Sequence, residues 1–117
     1  MLKLNHKKME VWQKGMDLVS LIYKVIKNFS KEDLFGLTNQ LRRAVLSIIS
    51  NIAEGSVRKS ITERKKFSEI TRASLVKADS QLEISIRLEY LKEYIIIKID
   101  ELLNHNFALL TNLILKS

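Results

Sequence analysis

Four times along the chain, apolar residues recur at three- and four-residue steps, the spacing of an amphipathic helix rather than a strand. The first set holds two adjoining stripes, Trp12, Met16, Val19, Tyr23 and Ile26 beside Val11, Leu18, Ile22, Val25 and Phe29. A helix facing one core needs only about 100° of apolar surface, so the doubled stripe predicts contact on two sides. The second set is Leu37, Leu41, Ala44, Val45, Ile48 and Ile52. The third runs Phe67, Ile70, Leu75, Ala78, Leu82 and Ile86, and the fourth Ile96, Ile99, Leu103, Phe107, Leu110 and Ile114. These patterns predict helices over about 8–28, 38–54, 61–89 and 95–116.

Punctuation between the stripes supports that division. Thr38 is positioned as an N-cap for the second helix. Gly55 is positioned to close it in the left-handed conformation. Ser60-Ile61-Thr62-Glu63 has the form of a capping box opening the third. Gly15 costs ~1 kcal/mol against Ala inside a helix, which a close neighbouring element would justify. The run Tyr94-Ile95-Ile96-Ile97 has strand propensity but no strand to pair with, so it reads as a turn near Lys92 entering a helix. The 117 residues include no Pro, no Cys and three Gly, a poor supply for the many turns of an all-β sandwich or barrel. The expectation is one all-α domain, 1–117, folded as an antiparallel up-down-up-down four-helix bundle.

No apolar run reaches the ~20 residues of a membrane span, and the start MLKLNHKKME lacks the apolar stretch of a signal peptide. A soluble cytoplasmic protein with no membrane partner is expected. Catalysis is not expected either. The two histidines, His6 and His105, lie near opposite ends, no serine has a nearby His to serve as base, and no phosphate-binding loop is present. Glu101 and His105 are one helical turn apart, but two ligands do not make a metal site. No catalytic residue, metal or cofactor is assigned.

Charge is the informative feature. Residues 42–72 hold eight bases against three acids, most of the +7 net charge of the chain. Arg42 and Arg43 fall on the second helix, Arg58 and Lys59 in the following turn, and Arg64, Lys65, Lys66 and Arg72 early on the third. The turn and the start of the third helix share one end of a bundle, while Arg42 and Arg43 sit about three turns away. A localised cationic surface attracts polyanions, nucleic acid above all. Phe67 is the one aromatic in the stretch, which favours contacts to the backbone of structured RNA over base stacking on a single strand. The competing expectation is that about half of these bases pair with Glu54, Glu63 and Glu69. A polar set on the second helix, Gln40, Ser47, Asn51 and Glu54, reads as a network fixing helix register. Glu54 lies in the last turn, where the helix dipole disfavours an anion, and needs a cation such as Arg43 of this chain or of a neighbouring subunit.

Val11-Trp12-Gln13-Lys14, Phe35-Gly36-Leu37-Thr38, Gln40-Leu41-Arg42-Arg43-Ala44 and Ser50-Asn51-Ile52-Ala53-Glu54-Gly55 occur in order, with Ser47 and Arg58 in register. Together they resemble the bacterial four-helix bundle proteins encoded in intervening sequences of 23S ribosomal RNA genes. The resemblance implies a homopentameric ring. It also implies kinship with the accessory variability determinants of diversity-generating retroelements, basic pentamers that bind nucleic acid and a reverse transcriptase. The chain departs from the family pattern at Ser30, where Pro is usual, and at Ala73-Ser74 and Lys77, where a Gly-Ser pair and a Glu are usual. Two functions are therefore expected, in order: a homo-oligomer that binds nucleic acid, RNA favoured, and a scaffold that holds a protein partner.

Overall fold

The computed structural model describes residues 1–116, and every element in them is helical. A 3-10 turn at Asn5–Lys8 leads into α1 (Glu10–Ile26). A 3-10 turn at Lys31–Asp33 and a π turn at Leu34–Thr38 connect it to α2 (Asn39–Ser56), followed by α3 (Ile61–Arg87) and α4 (Glu93–Lys116). All four helices coincide with the apolar stripes, displaced by one to two residues at most ends. The Tyr94–Ile97 run lies inside α4, its strand propensity overridden by packing.

The core is built from one face of each helix. Leu18 and Ile22 of α1, Leu41, Val45 and Ile48 of α2, Leu75 of α3 and Leu110 of α4 are all fully enclosed. Truncating any of them to Ala would cost ~2–5 kcal/mol through lost burial and the cavity left behind.

Two expected helix signals act differently. Thr38 does not cap α2: its backbone is already helical, its hydroxyl bonds nothing, and the side chain is buried. The chain enters α2 through the π turn instead, where Gly36 departs from helical geometry (φ −99°, ψ −105°) and Phe35 is left 89% exposed. Gly55 does not take the left-handed conformation; it lies within the helix and is buried. A Cβ there would stand 2.8 Å from the Cβ of Phe67, so glycine is needed for the close approach of α2 and α3. At Gly15 a Cβ would meet Cδ1 of Ile49 at 2.9 Å, the far end of a flexible side chain.

The capping box holds at Ser60, whose hydroxyl accepts from the Glu63 N–H at 3.3 Å. The end of α3 is unusual: Glu89 takes φ 60°, and Tyr90 N–H returns to the Ser85 carbonyl at 3.0 Å. A left-handed residue closing a helix is normally Gly, and Glu89 carries the steric cost of a Cβ there.

Much of the doubled stripe of α1 packs within the bundle itself. Trp12, Val19 and Tyr23 are half-buried against the core, and Met16 alone of that stripe is exposed. His6 packs edge-on against Trp12 at 5.5 Å between ring centroids, and the Arg42 guanidinium lies over Tyr23 at 5.8 Å. Other large apolar side chains are exposed as well, among them Val76 and Ile84 of α3, Leu88 just past its end, and Tyr94 and Ile97 of α4. No helix among the described residues is long and apolar enough to cross a membrane.

Candidate nucleic-acid interface

The turn from α2 into α3 takes only the residues 57–60, and α3 opens on a Ser60 cap rather than on packed apolar residues. Residues 58–66 are consequently all exposed. Five of the predicted cations gather there: Arg58, Lys59, Arg64, Lys65 and Lys66. Arg58 is held by its guanidinium over the Phe67 ring, 4.9 Å from the centroid, and Arg64 Nη2 donates to the Lys59 carbonyl at 2.9 Å. These contacts orient the two side chains while leaving their charge uncompensated.

The expectation that about half of the cations are neutralised by nearby acids is not met. Among the described residues, Arg72–Glu69 at 3.0 Å is the one ion pair formed by the predicted set, and neither Glu54 nor Glu63 makes one. Arg72 also lies over Phe107 of α4, 6.0 Å from the centroid, and so belongs to the flank of the bundle rather than to the patch. Arg42 and Arg43 are sixteen and fifteen residues before Arg58, more than ~20 Å back along the helix, and Arg42 is engaged with Tyr23.

The structure brings further cations to the same end. The residues 1–9 fold back as a strap against the last turn of α2, and Ser56 Oγ lies 3.2 Å from His6 Nδ1. Ser56 donates its own proton to the Ala53 carbonyl at 2.7 Å, so it accepts from His6. That assignment places the His6 proton on Nδ1 and leaves Nε2 as an acceptor. Lys3, Lys7 and Lys8 ride on this strap. They do not stand out in the sequence because their local segment carries no apolar stripe; the available signal was that Leu4, His6 and Met9 can anchor such a basic segment.

The polar set of α2 divides in two. Asn51 Nδ2 donates to the Ser47 carbonyl at 2.8 Å and to Ser47 Oγ at 3.0 Å, and Ser47 pairs with Ser74 Oγ of α3 at 2.9 Å. Gln40 Oε1 accepts from Gln81 of α3 at 3.1 Å. These bonds tie α2 to α3 at two heights and set their register. Glu54 stands outside the network, exposed and without an ion-pair partner; Arg43 lies eleven residues away along the same helix, ~16 Å. Ala73 and Lys77 both face solvent, so the departures from the family pattern on α3 leave the α2–α3 seam intact.

His105 pairs with Glu10 of α1 at 2.9 Å rather than with Glu101. Asn106, which no sequence pattern singled out, is fully buried and joins α4 to α1, donating to Leu102 at 2.8 Å and Lys14 at 3.3 Å. No three His, Asp or Glu side chains among the described residues converge as metal ligands would.

With this geometry in view, comparison with known proteins is direct. Residues 7–112 match the family described as 23S rRNA-intervening sequence protein. A crystal structure of a protein of unknown function from the S23 ribosomal protein family of Bacteroides thetaiotaomicron superposes with a TM-score of 0.81. The two sequences are 24% identical, over 89% of this chain and 94% of that one. Among curated proteins, none matches the chain.

Proposed function

Because the chain belongs to the 23S rRNA-intervening sequence protein family, we propose that it is a non-enzymatic, homo-oligomeric bundle that binds structured RNA through its basic pole. The helices alternate in direction, up-down-up-down, which brings the start of α1, the end of α2, the start of α3 and the end of α4 to that pole. Its setting is the cytoplasm, where ribosomal RNA is transcribed and folded.

The observation that carries this reading is the five-cation cluster of Arg58, Lys59, Arg64, Lys65 and Lys66, none of which is ion-paired among the described residues. Exposed Glu54 and Glu63 lie in the same stretch, but neither pairs with these cations, which outnumber them five to two. Cations held ready, with two of them oriented by Phe67 and by the Lys59 carbonyl, suit displacement of counterions from phosphates. Five such contacts would lower affinity by about 500-fold between 50 and 200 mM salt. Titration of a structured RNA and of duplex DNA across that range tests this; undetectable binding at low salt, or binding insensitive to salt, would refute it.

Self-assembly is supported by exposed apolar side chains: Val76 and Ile84 of α3, Leu88 just past its end, and Tyr94 and Ile97 of α4. Large apolar side chains are costly to leave in water when they gather, and association would cover them. The proposed assembly is a ring of five subunits, in line with the family resemblance, and the unpaired Glu54 suits an intersubunit partner such as Arg43. Light scattering distinguishes a pentamer from a monomer. The same exposed side chains support a second reading, a scaffold that holds a protein partner, which predicts no role for a polyanion.

A further inference from the structure

The basic pole also contains a cleft of about 580 Å³, within the size range of sites for small ligands. Its floor is apolar, formed by Met9 before α1, Ile52 of α2 and Leu110 of α4, with Val57 and Ile61 as walls. Among the described residues, no Asp or Glu lines it. Polar groups converge on it from three elements: Asn5 and His6 of the strap, Asn51 of α2, and Arg64 and Ser68 of α3.

The bonding capacity of these groups is only partly used. His6 is 4% exposed and donates from Nδ1 to Ser56, which leaves Nε2 as an acceptor on a side chain that lines the cleft. Asn51 commits its amide N–H groups to Ser47 and keeps its carbonyl oxygen. The Ser68 hydroxyl makes no hydrogen bond to the described residues. Arg64 spends one donor on the Lys59 carbonyl and has four others.

The geometry points to this cleft as the pocket for one unpaired nucleobase of a bound RNA. The inference rests on the RNA reading above and names the feature of the RNA that the pole would recognise. Apolar walls accept the faces of a base, and the mixed donors and acceptors accept its edge. A fatty carboxylate would fit the floor and the cation but would leave His6, Asn51 and Ser68 desolvated and unpaired. The walls Val57 and Ile61 are aliphatic, the His6 ring is packed edge-on against Trp12, and Phe67, outside the lining, is covered by Arg58. The base is therefore held by dispersion and edge hydrogen bonds, while the exposed cations Lys59 and Lys65, neighbours in sequence of the lining residues, are available to the flanking phosphates. Extruding a base costs least where it is already unpaired, so a bulge is preferred over an uninterrupted helix.

The test uses the full chain and two RNA probes, a perfect duplex and the same duplex with one bulged adenosine, compared by fluorescence anisotropy at low salt. The bulged RNA should bind on the order of tenfold more tightly. Ser68→Leu, which fills the cleft, and Asn5→Leu, an exposed strap position whose change leaves the helices untouched, should each remove most of that preference. Duplex affinity and thermal stability should stay unchanged in both. A photoreactive uridine at the bulge should cross-link to the strap or to the first turns of α3. Equal affinity of the wild type for the two RNAs, or a preference that survives both substitutions, would overturn this inference and leave the RNA reading standing. Failure of both probes to bind at low salt would overturn the RNA reading and this inference with it.

Discussion

At the pole where α2 turns into α3, five cations stand without acidic partners, and three more approach on the strap. At the other pole, where α1 leads to α2 and α3 to α4, Lys31, Arg87 and Lys92 alternate with Glu32, Asp33, Glu89 and Glu93. The connections differ as much as the charges. The first turn is short, capped by Ser60 and open to solvent. The second region is tied together by side chains: the Phe29 and Tyr90 rings meet at 5.0 Å, and the Tyr90 hydroxyl donates to Asp33 Oδ2. One pole carries its own stabilising contacts and balanced charge; the other leaves its charge uncompensated and a cleft unfilled. Groups that a fold does not use for itself are the ones free to meet a ligand, and they lie at the basic pole.

This contrast predicts that substitutions at the balanced pole change stability and leave RNA affinity alone, while the tightest packing inside the bundle sets the largest loss of stability. The largest effect is expected at Gly55. A methyl there would collide with Phe67 at its Cβ, which cannot swing away. Gly55→Ala should destabilise by ~1–2 kcal/mol even after its gain in helix propensity. Thermal melting would show a fall of roughly 4–8 °C. Gly15→Ala is the contrasting case. Its methyl meets only the flexible tip of Ile49, so the clash and the propensity gain should nearly cancel, leaving stability within ~1 kcal/mol of wild type.

Tyr90 comes next. Its hydrogen bond to Asp33, then burial, then the charges of Asp33 and Glu32 raise its pKa above the ordinary 10.0. A phenol with a raised folded-state pKa contributes stability that is fully present below the unfolded value and is lost as pH rises through the folded one. Tyr90→Phe should therefore lower the melting temperature by a constant amount up to about pH 10, and the gap to wild type should close above it. A gap that widens with alkaline pH would show that the phenol is not held by Asp33.

The smallest effect is a gain. Glu89→Gly relieves the left-handed Cβ penalty and should stabilise by about 1 kcal/mol, the glycine entropy cost offsetting part of the relief. Chemical denaturation would detect it as a raised midpoint with unchanged slope.

Much of the fold was legible because it depends on periodicity. Val11, Leu18, Ile22 and Val25 declare one buried face without knowledge of any other helix, and Ser60 caps α3 through contacts within one turn. What was not legible depends on neighbours remote in sequence. Gly55 looked like a helix stop because glycine commonly serves that purpose, and only the position of Phe67 reveals a close approach. Thr38 has the right residue type for a cap, yet the π turn carries the helical geometry past it. Glu89 has no local signal for a left-handed residue. At the site, the five clustered cations were readable from the turn they flank. Arg72 was misplaced because its partners, Glu69 and Phe107, depend on how α3 and α4 rotate against each other. Lys3, Lys7 and Lys8 were missed because the strap has no periodicity of its own, and the cleft requires four chain segments to be placed at once.

The two poles should behave differently toward RNA. Two variants, each losing four cations, settle it in one titration: Arg58, Lys59, Lys65 and Lys66 to Ala at the basic pole, and Lys27, Lys31, Arg87 and Lys92 to Ala at the balanced one. Both lower the net charge equally. The first should flatten the dependence of log K on log salt by roughly 3.6, from ~0.9 per lost phosphate contact, and weaken binding steeply; the second should leave slope and affinity near wild type. Equal losses in the two variants would mean that net charge alone attracts the RNA and that the basic pole is not its interface.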